Sequence, residues 1–141
     1  MLVRHVLDRK GSAVHAIGPD ATVLEALRLM ATHGIGALLV MQGDKVLGVI
    51  SERDYARKVA LLGRASHDTP VSQIMTSPAV TVAPDDTVDS CMRVVTDKRI
   101  RHLPVIANGR VVGVLSIGDL VKTLIGEQRE TIEQLEAYIR S

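Results

Sequence analysis

Phenylalanine and tryptophan are absent from the 141-residue chain, and tyrosine occurs only as Tyr55 and Tyr138. The core must therefore be aliphatic, and base stacking on interleaved aromatics, the usual hold on single-stranded nucleic acid, is excluded. An excess of charge of either sign is also lacking: 17 basic and 16 acidic side chains leave a formal net charge of +1, with no block of like charge. That excludes a general attraction to phosphate backbones. Cysteine occurs once, as Cys91, so an intrachain disulfide and a zinc site of the multi-cysteine type are both excluded. The longest apolar run, Ile35 to Met41, falls far short of the roughly 18 to 20 residues of a membrane-spanning helix. The opening Met1-Leu2-Val3-Arg4-His5 has no long hydrophobic h-region. A protein of the reducing cytoplasm, with neither membrane nor nucleic acid as partner, is the expectation.

Reactive constellations are missing as well. His5, His15, His33, His67 and His102 show no ligand spacing of the H-E-x-x-H kind, so no metal site is expected, and neither G-x-G-x-x-G nor a P-loop occurs. Asp85 and Asp86 follow Pro84 at a turn before Thr87, where acids favour a helix N-terminus without any catalysis. What is present is an ordinary globular composition, 46% apolar and 23% charged, in a length that suits one domain or one domain of two small halves.

An internal repeat decides between these. Sliding the sequence against itself by 65 residues places Asp54 on Asp119 and needs no gap from Val14 to Tyr55. Identities include Pro19/Pro84, Asp20/Asp85, Thr22/Thr87, Ile35/Ile100, Gly48/Gly113 and Ser51/Ser116, so turn and cap positions match as well as core. Each copy reads as strand, helix, strand, strand, helix. In the first, Val14 to Ile17 is a strand, Thr22 with Glu25 forms a capping box for a helix through His33, and Gly34 stops it. Ala37 to Met41 and Lys45 to Ile50 are strands joined at Gly43-Asp44; in the second copy, Leu103 to Ile106 and Arg110 to Leu115 are joined at Asn108-Gly109, a strong hairpin signal. Cys91 aligns with Ala26 on the apolar face of a helix, as a small buried hydrophobe. Leu62 to Pro70 reads as a linker, dividing the chain into residues 1–65 and 66–141. Halves of this size share a core rather than fold alone. Leu124, Ile125, Ile132, Leu135 and Ile139 recur at helical spacing, which predicts a long amphipathic C-terminal helix that covers its own domain or forms a dimer contact.

The chemistry concentrates in Gly48-Val-Ile-Ser51-Glu-Arg-Asp54 and Gly113-Val-Leu-Ser116-Ile-Gly-Asp119. Each runs a strand into a helix N-terminus with a hydroxyl at the cap and a carboxylate three residues on. As caps, these residues only satisfy backbone N–H groups. As a site, the helix N-terminus attracts phosphate and the carboxylate accepts hydrogen bonds from the hydroxyls of a ribose.

These segments, with Val-His-Ala-Ile-Gly-Pro-Asp-Ala-Thr-Val (14–23), Val-Thr-Val-Ala-Pro-Asp-Asp-Thr-Val (80–88), Gln-Ile-Met-Thr (73–76) and Arg-His-Leu-Pro-Val (101–105), closely resemble a tandem pair of CBS domains over nearly the whole chain. The resemblance implies an α+β fold of two βαββα repeats about a pseudo-twofold axis, dimerisation into a flat disc, and two clefts for adenosine-containing ligands in a sensor without catalytic activity. AMP is the first expectation, with ADP, ATP, NAD(H) and S-adenosylmethionine as alternatives. Carried over by residue, Asp54 and Asp119 hold ribose hydroxyls, Ser51 and Ser116 contact ribose or phosphate, and His15 and Thr81 line the adenine end. Arg99, Arg101 and His102, preceded by Lys98, face the phosphates, a task for which the guanidinium fork is suited. The first copy departs from this pattern with Gly36 and Ala37 in place of the basic run, and offers Arg53 on its closing helix, so the clefts should differ, the more basic one holding Asp119. The output is expected to pass to an unidentified effector protein. The alternative from another class is an interaction adaptor with vestigial clefts that works through its dimer surface or C-terminal helix.

Overall fold

The computed structural model describes residues 1–140, in the order α1 (Val3–Lys10), β1 (Ala16–Ile17), α2 (Val23–His33), β2 (Ala37–Gln42), β3 (Lys45–Ser51), α3 (Glu52–Tyr55), α4 (Val88–Lys98), β4 (His102–Ala107), β5 (Arg110–Ser116) and α5 (Ile117–Arg140). A π-helical turn at Ala56–Ala60 prolongs α3, and a 3-10 turn covers Val71–Gln73. The fold is α+β, and its two repeats are built by the same local chemistry. Thr22 Oγ1 accepts from the Glu25 N–H at 3.2 Å and the Thr22 N–H donates to Glu25 Oε2 at 3.0 Å, the capping box that starts α2. Thr87 Oγ1 caps α4 by accepting from the Ser90 N–H at 3.0 Å. α2 buries Val23, Ala26 and Met30, and α4 buries the equivalent Val88, Cys91 and Val95.

β2 and β3 form an antiparallel hairpin, as do β4 and β5, with Leu38 opposite Ile50 and Leu103 opposite Leu115. At the second turn both Asn108 and Gly109 have positive φ, as a type I′ turn requires, whereas at the first only Gly43 does. The opening strands are shorter than the sequence predicts, and unequal. β1 pairs in parallel with β2 over Ala16 and Ile17, while the second copy keeps a single bridge, Val82 to Val105. The cause is one residue: the Leu39 N–H donates to the His15 carbonyl at 3.1 Å, and the equivalent position is Pro104, which has no N–H to give.

The segments ahead of the two repeats are exchanged between them. Val3, Val6 and Leu7 of α1 are buried in one cluster with Val88, Cys91, Leu103, Leu115 and Leu120, all of the second repeat. Val71 and Ile74 are buried with Val23, Met30, Leu38 and Ile50 of the first. The backbone contacts correspond one for one: the Val3 N–H donates to the Asp86 carbonyl at 2.9 Å as Val71 does to Ala21 at 2.8 Å, and Val88 donates to Met1 at 2.9 Å as Val23 does to Thr69 at 2.8 Å. The stretch from Ser66 to Pro70 is therefore fixed on the start of α2, and Thr69 within it is buried. α5 runs for 24 residues, buries only Leu120 and Thr123, and leaves Ile125, Ile132, Leu135 and Ile139 exposed along its length.

Candidate ligand-binding site

β3 and β5 each run into a helix through a serine cap. At Ser51 the backbone is extended (φ −127°, ψ 165°), its Oγ accepts from the Asp54 N–H at 3.2 Å, and Asp54 Oδ2 accepts from the Ser51 N–H at 2.9 Å and from its hydroxyl at 3.1 Å. In the second copy the Ser116 N–H donates to Asp119 Oδ2 at 2.8 Å and the Asp119 N–H to Ser116 Oγ at 3.1 Å. The capping role is thus filled, and it fixes both carboxylates in orientation. Asp54 Oδ1 meets Thr76 Oγ1 and Lys58 Nζ, both at 3.3 Å. Asp119 Oδ2 is shared with Lys10 Nζ at 2.7 Å, and among the described residues no donor meets its other oxygen.

Two clefts contain these carboxylates, and each is built across the repeats. The first, a cavity of about 240 Å³, takes Ser51, Arg53, Asp54 and Arg57 from the end of the first repeat and Arg99, Ile100, Arg101 and His102 from the second, with Thr76 and Pro78 to Val80 between them. The second, about 320 Å³, takes Ser116 and Asp119 from the second repeat and Gly34 to Leu39 from the first, with Lys10, Ala13 and His15 at one side. Gly36, Val49 and His102 line both. This pairing corrects the expectation that the more basic cleft holds Asp119. The basic run precedes β4 and crosses to the closing helix of the other repeat, so it faces Asp54.

The first cleft therefore gathers Arg53, Arg57, Arg99 and Arg101 against Glu52 and Asp54. Arg57 and Arg101 together hold the Arg53 guanidinium below the usual arginine range, a sign of unbalanced positive potential. Arg99 ends α4 in the left-handed region at φ 55°, where its counterpart in the first copy is Gly34 at φ 63°. A non-glycine residue there costs on the order of 1 kcal/mol. Lys98 is exposed and lines neither cleft.

The second cleft is close to neutral, with Lys10 and Asp119 paired. Burial pushes the Asp119 carboxyl up, but the hydrogen bonds from Lys10 and Ser116 outweigh it and leave the group below the usual carboxylate range. Burial, then the Arg101 guanidinium, hold the His102 imidazole below its ordinary value, with Asp119 and Asp54 opposing and Lys10 reinforcing. His15 stacks on His33 at 3.9 Å between ring centroids. Ala37 lines this cleft, and not the one that holds Arg53, whereas Thr81 lines neither. Val80 lines the first cleft and Val82 is buried in the core, so strand alternation turns Thr81 to solvent.

Lys10, Arg57 and Thr76 were not among the residues that the sequence singled out. Arg57 was legible as the i+4 neighbour of Arg53 on one helix, and Thr76 lies in the quoted Gln-Ile-Met-Thr segment; Lys10 carries no such signal. Among the described residues, no three of His, Cys, Asp and Glu converge on a point that would hold a metal ion, and no helix is long and apolar enough to cross a membrane.

Duplicated βαββα repeats that exchange their leading segments and enclose two inter-repeat clefts define a paired module. The chain belongs to the CBS-domain family, whose model matches residues 3–61 and 71–126. It is 43% identical over 126 residues to the mitochondrial CBS domain-containing protein CBSX3 of Arabidopsis thaliana, covering 86% of this chain and 61% of that protein. It thus spans under two thirds of that relative. A CBS-domain structure from Burkholderia ambifaria MC40-6, of a protein assigned to signal transduction, is 44% identical with a TM-score of 0.87, covering 91% of this chain and 96% of that one. The CBS pair of protein MJ0100, solved with 5′-methylthioadenosine and S-adenosyl-L-methionine, has the same fold at 23% identity, with a TM-score of 0.79 over 90% of this chain and 98% of that one. The family role of such pairs is regulatory.

Proposed function

We propose that the chain is a regulatory sensor of adenosine-containing ligands that acts by binding rather than catalysis. The observation that carries this is the crossed construction of the clefts: the capped carboxylate comes from one repeat and the strand entry from the other, so a bound ligand touches both. Ribose hydroxyls donate to Asp54 or Asp119 beside the caps of Ser51 and Ser116. Arg53, Arg99 and Arg101, with His102 beside them, receive phosphates in the first cleft, which makes AMP its first ligand and ADP, ATP or NAD(H) its alternatives. The second cleft, near neutral and lined by Lys10, His15 and Ala37, suits an adenosyl ligand with one anionic group, and S-adenosylmethionine, which carries a carboxylate, is its first ligand. S-adenosyl-L-methionine, one of the two ligands in the structure of the MJ0100 pair, carries such a group and supports that assignment. No metal is required.

Residues 1–65 and 66–141 work as one unit. A ligand shifts their mutual orientation by as much as its affinities for two arrangements differ, and the shift passes to an effector protein in the cytoplasm. The exposed apolar stripe of α5, with Leu61 and Leu62 also exposed, is the surface through which two copies pair. Light scattering should then give 2 × 15.2 kDa; a monomer at working concentration rejects the pairing.

Isothermal titration calorimetry with AMP, ADP, ATP, NAD, NADH and S-adenosylmethionine tests the reading. Asp54→Ala should weaken AMP binding by about 1.5–3 kcal/mol, the worth of hydrogen bonds to a charged group, and Arg101→Ala should weaken AMP more than adenosine. No heat with any of these ligands from the folded protein, or AMP affinity indifferent to Asp54, would overturn it and leave the adaptor reading in its place.

A further inference from the structure

The two clefts differ in a contact that the repeat does not account for. Lys10 is the last residue of α1, which Val3, Val6 and Leu7 fix on the second repeat. Its ammonium reaches into the second cleft, donating to the Val114 carbonyl at 2.6 Å and to Asp119 Oδ2 at 2.7 Å. In the first cleft the lysine near Asp54 is Lys58, on the same helical segment, at 3.3 Å from Oδ1, and it donates to the Ile74 carbonyl at 2.9 Å. Aligning the leading segments, Val3 on Val71, places Lys10 on Pro78, which has no donor. Lys10 is therefore particular to the second cleft.

Asp119 Oδ2 already accepts from the Ser116 N–H at 2.8 Å, so with Lys10 added it is fully engaged. A ribose diol that takes both carboxylate oxygens must displace the ammonium. A ligand with an anionic group offers that ammonium a new partner, whereas a neutral one offers none. Resting on the adenosyl-binding reading above, we propose that Lys10 is a built-in competitor at Asp119 that sets the second cleft's preference for anionic over neutral adenosyl ligands. The ion pair is part-exposed on both sides, 33% for Lys10 and 24% for Asp119. It is accordingly weak enough to open reversibly, and its removal changes affinity by a factor of about three to five. The depressed Asp119 carboxyl is consistent with a persistent pair.

Calorimetry with adenosine and with AMP, in an Asp54→Asn/Arg101→Ala background that removes a ribose and a phosphate contact from the first cleft and is fitted to two separate sites, supplies the test. Lys10→Met should tighten adenosine and not AMP, lowering the ratio of their dissociation constants (adenosine over AMP) about three- to fivefold, while Lys10→Arg keeps the parent ratio. An unchanged ratio in Lys10→Met, or no binding to the second cleft with either residue, overturns the proposal. Carbon-13 NMR of the Asp119 carboxyl gives a ligand-free readout: its titration should move up in Lys10→Met, and a fixed midpoint overturns the proposal without reference to ligands. Loss of the ratio effect while the parent protein, its first cleft intact, binds AMP sinks Lys10 alone; absence of AMP and adenosine binding from every variant, including the parent, sinks the adenosyl reading with it.

Discussion

Gly48 and Gly113 are equivalent in the repeat, and the structure assigns them unequal costs on replacement by alanine. A Cβ at Gly48 would stand 2.5 Å from the Thr76 carbonyl oxygen and 3.1 Å from Met75 Sδ, while one at Gly113 would meet Leu7 Cδ2 at 2.7 Å and Cδ1 at 2.9 Å. The first obstacle is backbone. Thr76 is held by two hydrogen bonds to Val49, at 3.0 and 2.9 Å, and the carbonyl cannot retreat without stretching them. Each is worth about 1 kcal/mol net, and overpacking adds about 1–3 kcal/mol. Loss of glycine freedom in the unfolded chain returns only about 0.4–1 kcal/mol. The expected cost of Gly48→Ala is about 2–4 kcal/mol. At Gly113 the obstacle is the end of a leucine, which can leave its rotamer for about 0.5–1.5 kcal/mol, so Gly113→Ala should cost about 1 kcal/mol or less. Urea unfolding followed by far-UV circular dichroism measures both, with unchanged slopes as the control for two-state behaviour. Equal losses, or a larger loss at Gly113, would refute the reasoning.

Arg99→Gly should raise the melting temperature by relieving a left-handed arginine and weaken AMP binding in the same protein; lower stability would show that the side chain contributes more than its backbone costs. Because His102 is held below its ordinary 6.5, the folded state binds fewer protons than the unfolded one. The resulting stability is present above pH 6.5 and is lost as pH falls toward the folded value, so His102→Gln should flatten the stability profile there. Asp119 has the same sign lower down: its contribution is present above its ordinary 3.8 and is lost as pH falls through its lower folded value, a loss that Lys10→Met should reduce. Val3→Ala, at a side chain with no exposed surface, should cost about 2–3 kcal/mol in urea, and a loss under about 0.5 kcal/mol, as at a surface site, would show that α1 is not anchored.

The parts of the fold that were legible are those written in local chemistry. Thr22 with Glu25, Gly34, Asn108-Gly109 and the Ser-x-x-Asp pairs each fix their own turn or cap, and the offset of 65 residues supplies the rest by equivalence. α1 was missed because its counterpart lies at an offset of 68, not 65: Val3, Val6 and Leu7 match Val71, Ile74 and Met75 only once three residues are allowed for. Most residues of the clefts were legible, Lys10 excepted, but their grouping was not, since a repeat equates Asp54 with Asp119 and says nothing of which one Arg101 faces. Thr81 fails for the opposite reason, being matched to the pattern by position while strand alternation turns it outward. The inequality of the opening strands was legible in Pro104, whose missing N–H removes a ladder bond.

The exchange of leading segments makes the continuity of the chain less important than its reciprocity. Leu61 to Ala65 joins two pieces, each of which carries the piece of hydrophobic filling that the other lacks. A cut confined to that stretch should leave fragments that are unfolded apart and folded together, with melting that depends on their concentration as in an obligate dimer. Each repeat should then act as folding template for the other, and a change in how they meet should reach both cores at once.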